Sequence, residues 1–166
     1  MKISKSLLFS FLLLSLLAVQ GAAQTRTFSD ASAEFTFEIP DDRWKVVSKS
    51  PVNVVFGTAK EGDLEIRKLS VPASKPLTDV IHEDEAKLQF QRGYVAGKEE
   101  NFSGALRGAI FNYEFVSAGR NMAGRFYYLR VGDTIYVLRF TAYTTNLRSL
   151  RTQTDVIART FQIKKG

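Results

Sequence analysis

The one histidine of the 166-residue chain sits in the run His82-Glu83-Asp84-Glu85. On a helix His82 and Glu85 share a face, three residues apart, near enough to co-ligate a divalent cation. Two ligands do not complete a site. The second His of an H-E-x-x-H zinc helix is absent, and so is the D-x-D-x-D-G spacing of a calcium loop. His82 and Glu85 therefore stand as weak metal candidates, with no metal site and no cofactor expected. The same run suits the acidic first half of a solvated helix, near the positive end of its dipole. An apolar stripe through Leu77, Ile81 and Leu88 nevertheless sets Asp84 or Glu85 on the inward side, where an unpaired carboxylate is costly. Either that stripe lies at a sheet edge, or an arginine meets the acid.

Other catalytic chemistry finds little to build on. The chain has no Cys, which removes thiol nucleophiles, thiolate metal sites and a disulfide framework. No G-x-S-x-G elbow accompanies His82, and neither G-x-G-x-x-G nor G-x-x-x-x-G-K-[ST] occurs to cradle a phosphate. Asp41-Asp42 and Glu99-Glu100 are adjacent pairs whose side chains point apart, unlike the facing carboxylates of glycoside hydrolysis. The chain is not expected to be an enzyme.

A binding surface is better supported. Arg125-Phe-Tyr-Tyr-Leu-Arg-Val131, Gly132-Asp133 and Thr134-Ile-Tyr-Val-Leu-Arg-Phe140 form a hairpin, because Gly-Asp suits a two-residue turn. Its register pairs Val131 with Thr134, Leu129 with Tyr136, Tyr127 with Leu138 and Phe126 with Arg139. One face then carries Phe126, Tyr128, Arg130, Ile135, Val137 and Arg139, and the other Tyr127, Leu129, Tyr136, Leu138 and Phe140. If helices cover both faces, these rings are core. If one face is partly open, Phe126, Tyr128, Arg130 and Arg139 combine apolar area with planar charge, as interaction surfaces do. Arg120, in the loop Ser117-Ala-Gly-Arg-Asn121, is a further candidate at the rim.

The elements that position these residues follow from periodicity. Ala33 to Ile39 alternates, burying Phe35, Phe37 and Ile39, and Pro40-Asp41-Asp42 stops it. Trp44 to Val47, Val52 to Phe56 and Leu64 to Val71 read as further strands of an antiparallel meander, separated by turn compositions. Pro76 opens a helix that runs to about Gly93. Phe102 and Ala109 to Val116 return to strand character. From Asn146 to Thr160, Leu147, Leu150 and Ile157 make an amphipathic helix, with Arg151, Asp155 and Arg159 as exposed ion pairs on its outer face.

At the N-terminus Lys2 and Lys5 precede an apolar run from Leu7 to Val19 and then Gly-Ala-Ala, the order of a signal peptide cleaved after Ala23. The run is too short for the roughly 20 residues of a bilayer span. The expected organisation is a signal peptide over 1–23, an extension over 24–32 and one domain over 33–166, exported to a periplasm or beyond the cell, with no membrane span after cleavage. Residues 24–100 carry 11 Lys and Arg against 14 Asp and Glu, whereas 101–166 carry 10 against 3. A basic second half suits a protein or anionic envelope partner, and export argues against nucleic acid. Spaced as they are, the basic residues equally suit acidic and basic halves facing each other within one domain.

The opening strand ending in Pro40 with Trp44 close behind, the helix from Pro76, the Gly132-Asp133 hairpin and the terminal Ile157-Ala-Arg-Thr-Phe161 together resemble the PsbP-like superfamily. The resemblance covers most of residues 33–163. It implies an α+β fold, an antiparallel sheet of about 6–8 strands with helices on both faces. It also implies a non-catalytic domain that binds a protein or cell-envelope partner. Two other roles stay open: a metal- or small-ligand-binding module, or a hydrolase, centred on His82 and Glu85, and a photosystem II-associated protein if the source is photosynthetic.

Overall fold

A computed structural model of the chain describes residues 26–49, 52–58 and 61–165. The expected signal peptide lies outside them. Among the described residues no helix is long and apolar enough to cross a membrane.

Ten strands and two helices follow in the order β1 (Arg26–Ser29), β2 (Phe35–Ile39), β3 (Trp44–Lys49), β4 (Val52–Phe56), β5 (Asp63–Ser70), α1 (Leu77–Leu88), β6 (Val95–Ser103), β7 (Arg107–Ser117), β8 (Arg120–Val131), β9 (Thr134–Tyr143), α2 (Thr144–Thr160) and β10 (Gln162–Ile163). A seven-stranded sheet runs β3-β4-β5-β9-β8-β7-β6, and a three-stranded sheet runs β1-β2-β10. Every pairing is antiparallel. The fold is α+β, with α1 on one face of the large sheet and α2 with the small sheet on the other.

One expectation about the first strands is corrected. β2 does not lead the meander of β3, β4 and β5; it centres the small sheet, where Phe35 and Phe37 pack on Phe161. Within the expected extension, Arg26–Ser29 form a strand as well: β1 pairs with β2 and buries Phe28 against Phe37, centroids 4.8 Å apart. The α1 helix ends at Leu88, earlier than Gly93, and strand structure resumes at Val95, ahead of the expected Phe102.

The hairpin register is as the sequence predicts: Val131 faces Thr134, Leu129 faces Tyr136, Tyr127 faces Leu138 and Phe126 faces Arg139. Gly132, first in the turn, takes φ +56°, a conformation that costs a side-chain-bearing residue energy. Alternation then assigns the two faces. Phe126, Tyr128, Ile135 and Val137 join Val80, Ile81 and Leu88 of α1, whereas Tyr127, Leu129, Tyr136, Leu138 and Phe140 join Leu147, Leu150 and Ile157 of α2.

Candidate functional site

The hairpin residues proposed as a surface divide. Phe126 and Tyr128 are buried, 1% and 0% exposed, because α1 lies over them, so the expectation that they face a partner is corrected. Arg139 lies 4.6 Å over the Phe126 ring, with its guanidinium 3.5 Å from a Glu65 carboxylate oxygen. Arg130 donates to the carbonyls of Pro72 and Lys75, at 3.0 and 2.8 Å, and so fastens the segment leading into α1. Arg120 is exposed, 5.1 Å over the ring of Tyr143. The structure thus brings Phe126 and Arg139 together and leaves Arg120 elsewhere.

The acidic run of α1 resolves by a route the sequence does not show. Asp84 accepts from the Tyr128 hydroxyl at 3.2 Å and Glu85 from that of Tyr94 at 2.8 Å, so tyrosines rather than an arginine meet the inward carboxylates. Burial, reinforced by these carboxylates, raises the pKa of both hydroxyls and keeps them protonated donors. His82 is solvent-facing and lies 3.2 Å from Glu99 of β6. His82 and Glu85 therefore take different partners, and among the described residues no group of three metal-ligating side chains assembles.

The larger concavity lies on the opposite face. A groove of ≈ 480 Å³ runs between β6, β7 and β8 on one side and the first half of α2 on the other. Small residues make the space: Ala96, Gly97 and Ala123 line the strand wall, and the β6 ladder shifts register between Ala96 and Glu99. From α2, Thr144, Leu147, Arg148 and Arg151 line it at i, i+3, i+4 and i+7, one face of a helix. Such a concavity has the size of a ligand-binding cleft.

Its floor holds Arg125, 4% exposed. The guanidinium donates to the Tyr127 hydroxyl at 2.7 Å, to Asn112 Oδ1 at 2.9 Å and to Asp155 Oδ1 at 3.0 Å. Tyr127 also donates to Asp155 and shares a 3.1 Å contact with Thr154. Burial opposes the charge on Arg125, but Tyr127 and Asp155 outweigh it and raise its pKa, so the cation stays fixed under the groove. Burial raises the Tyr127 pKa as well, with Asp155 adding to it.

Asp155 is thus not an exposed ion-pair partner of Arg151 and Arg159. Arg151 instead reaches Glu100 at 3.6 Å, and Arg159 donates to the Ser103 carbonyl at 2.9 Å. Sequence reasoning missed this groove, because its lining comes from four elements and carries no local motif. The one available signal was Arg125, which shares the face of Tyr127 and so had to find a partner once α2 covered that face.

No family of protein sequences matches the chain, and no curated protein does. Solved structures do. Cyanobacterial PsbP from Synechocystis superposes with TM-score 0.57 at 16% identity, covering 88% of this chain and 96% of that one. The Saccharomyces cerevisiae Ran-binding protein Mog1p gives 0.60 at 11% identity, covering 86% and 96%. LpqN of Mycobacterium tuberculosis, described as involved in cell envelope biogenesis, gives 0.57 at 13% identity, covering 86% and 92%. Identities this low speak to architecture alone. The seven-stranded sheet between α1 and α2 is accordingly the PsbP-like fold.

Proposed function

We propose that the chain is an exported, non-catalytic domain that binds a protein partner at the cell envelope through the groove between β6–β8 and α2. The observation that carries this reading is the groove itself, open beside exposed cations and floored by a buried Arg125 held by three hydrogen bonds. A guanidinium held this way is a positioned recognition element and offers no proton for acid–base chemistry. Of two neighbours of like fold, the one named a Ran-binding protein agrees with a binding role, and the one described as involved in cell envelope biogenesis agrees with an envelope setting.

The test is capture of a partner from the organism's own envelope fraction by wild type, by Arg148→Glu/Arg151→Glu and by Lys45→Glu on β3, at the opposite edge of the sheet. Loss of one specific protein in the double variant alone, with unchanged melting, supports the reading. Retention in the double variant, or turnover of a substrate by the wild type, overturns it.

A further inference from the structure

The charges around the groove are unevenly satisfied. Four cations line it, Lys98, Arg125, Arg148 and Arg151, against two acids, Glu100 and Glu114. Arg125 is paired with Asp155, and Arg151 has only the 3.6 Å contact with Glu100. Lys98 and Arg148 make no ion pair among the described residues; other cations such as Lys45, Arg92 and Arg107 also make none, but these two share one concavity. The groove is thus a place where cations outnumber acids and two of them stand unspent.

The start of α2 adds to this. Its first turn contains no acidic residue and no side-chain cap, so its free N–H groups keep their positive end uncompensated. The Thr144 hydroxyl oxygen, in the groove wall, is shielded from solvent and has no hydrogen-bond partner. Such a group normally finds a partner, and each one left without costs energy. Arg125 presents five N–H donors and the structure engages three, which leaves two beneath the groove. Ala123 and Leu147 supply apolar wall beside these donors.

We propose that the groove receives an acidic segment of a protein partner, a carboxylate entering among Lys98, Arg148 and Arg151 while an adjacent apolar side chain packs on Ala123 and Leu147. This deepens the reading above and rests on it. A concave site favours a segment of chain over a bilayer: a flat headgroup surface does not enter a cleft between a helix and a sheet, and Arg125 lies at its floor. Alternating acidic and apolar side chains fit, because cations and apolar wall lie next to one another.

The experiment is an amide NMR titration of the protein with an end-blocked Leu-Glu-Leu-Glu-Leu peptide and its Leu-Gln-Leu-Gln-Leu counterpart. Inorganic phosphate and phosphatidylglycerol vesicles form separate arms, and Arg148→Glu/Arg151→Glu is titrated in parallel. Both arginines are exposed, so the double variant keeps its fold, which its melting curve checks.

Saturable shifts confined to groove amides with the Glu peptide, at least tenfold weaker in the double variant and absent with the Gln peptide, are the expected result. Equal binding of the Gln peptide, of phosphate alone or of vesicles in place of the peptide overturns the inference. Groove-dependent capture of an envelope protein with no response to the Glu peptide overturns the acidic-segment inference and leaves the binding role standing. The reverse pattern, peptide binding without any captured partner, overturns the binding role and leaves the chemistry of the groove.

Discussion

The two faces of the large sheet are both rich in aromatic rings, yet the larger opening lies on only one of them. On the α1 face, twelve residues of helix suffice to cover Phe126 and Tyr128, and the polar groups are matched in pairs: Tyr128 with Asp84, Tyr94 with Glu85 and Lys87 with Asp84. The ≈ 280 Å³ depression beside that helix is ringed by Arg67, Lys87 and Arg139, and each is spent on Glu65 or Asp84. On the α2 face a longer helix and a second sheet bury the larger core, but the strand wall narrows to Ala96, Gly97 and Ala123 and leaves a groove with free cations. Aromatic content therefore does not distinguish the two faces. Side-chain size along the strand wall and the excess of cations over acids do.

The two cores differ in what their central rings hold together. Phe161 is fully buried and joins the two sheets through Phe35, Phe37 and Tyr136, whereas Phe126 packs beneath α1 alone. Phe161→Ala is expected to cost about 5 kcal/mol and Phe126→Ala about 3 kcal/mol, within the usual range for buried Phe truncation. Urea denaturation of both variants checks the order, and an equal or reversed ranking would mean that α1 anchors the fold.

Carboxylate removal sharpens the contrast. Asp155→Asn leaves the buried Arg125 without its counter-charge and is expected to cost about 3 kcal/mol. Asp84→Asn takes the charged acceptor from the Tyr128 hydroxyl and from the exposed Lys87, leaves no buried charge unpaired, and is expected to cost about 1 kcal/mol. Thermal melts at neutral pH measure both. Comparable losses would contradict the account of Arg125 as a fixed cation under the groove.

The smallest expected effect is one of pH. Lys68 and the Tyr136 hydroxyl hold the Glu34 carboxyl below its ordinary value of 4.5. A folded-state pKa below the unfolded one contributes stability that is complete above pH 4.5 and disappears as pH falls through the folded value. Glu34 is half exposed, so the gain is modest. The melting-temperature gap between wild type and Glu34→Gln should be present at pH 6 and close towards pH 3. A gap that widens on acidification would reverse the assigned sign.

Much of this architecture was legible in local sequence. Gly132-Asp133 fixes the hairpin register, alternation assigns its two faces, and Leu147, Leu150 and Ile157 mark the buried side of α2. β1 escaped because Arg26-Thr-Phe-Ser29 buries a single residue, and no alternation shows in so short a strand. β6 escaped because Val95–Ser103 is an edge strand with one buried residue, and its charges and glycine read as loop. The groove was not legible at all. It exists where Ala123 of β8 meets Thr144 and Leu147 of α2 beside β6, a juxtaposition set by the order of strands in the sheet.

Val95 and Val47 lie on opposite edge strands with the same 60% exposure, and only Val95 lines the groove. A photo-cross-linking residue at each position, irradiated in the native envelope, compares the groove with an equally exposed control. A single discrete adduct from position 95, absent from position 47 and lost when Arg148→Glu/Arg151→Glu is added, is the predicted result. The same adduct from position 47, or one from position 95 that survives the double substitution, would contradict the groove as the binding site.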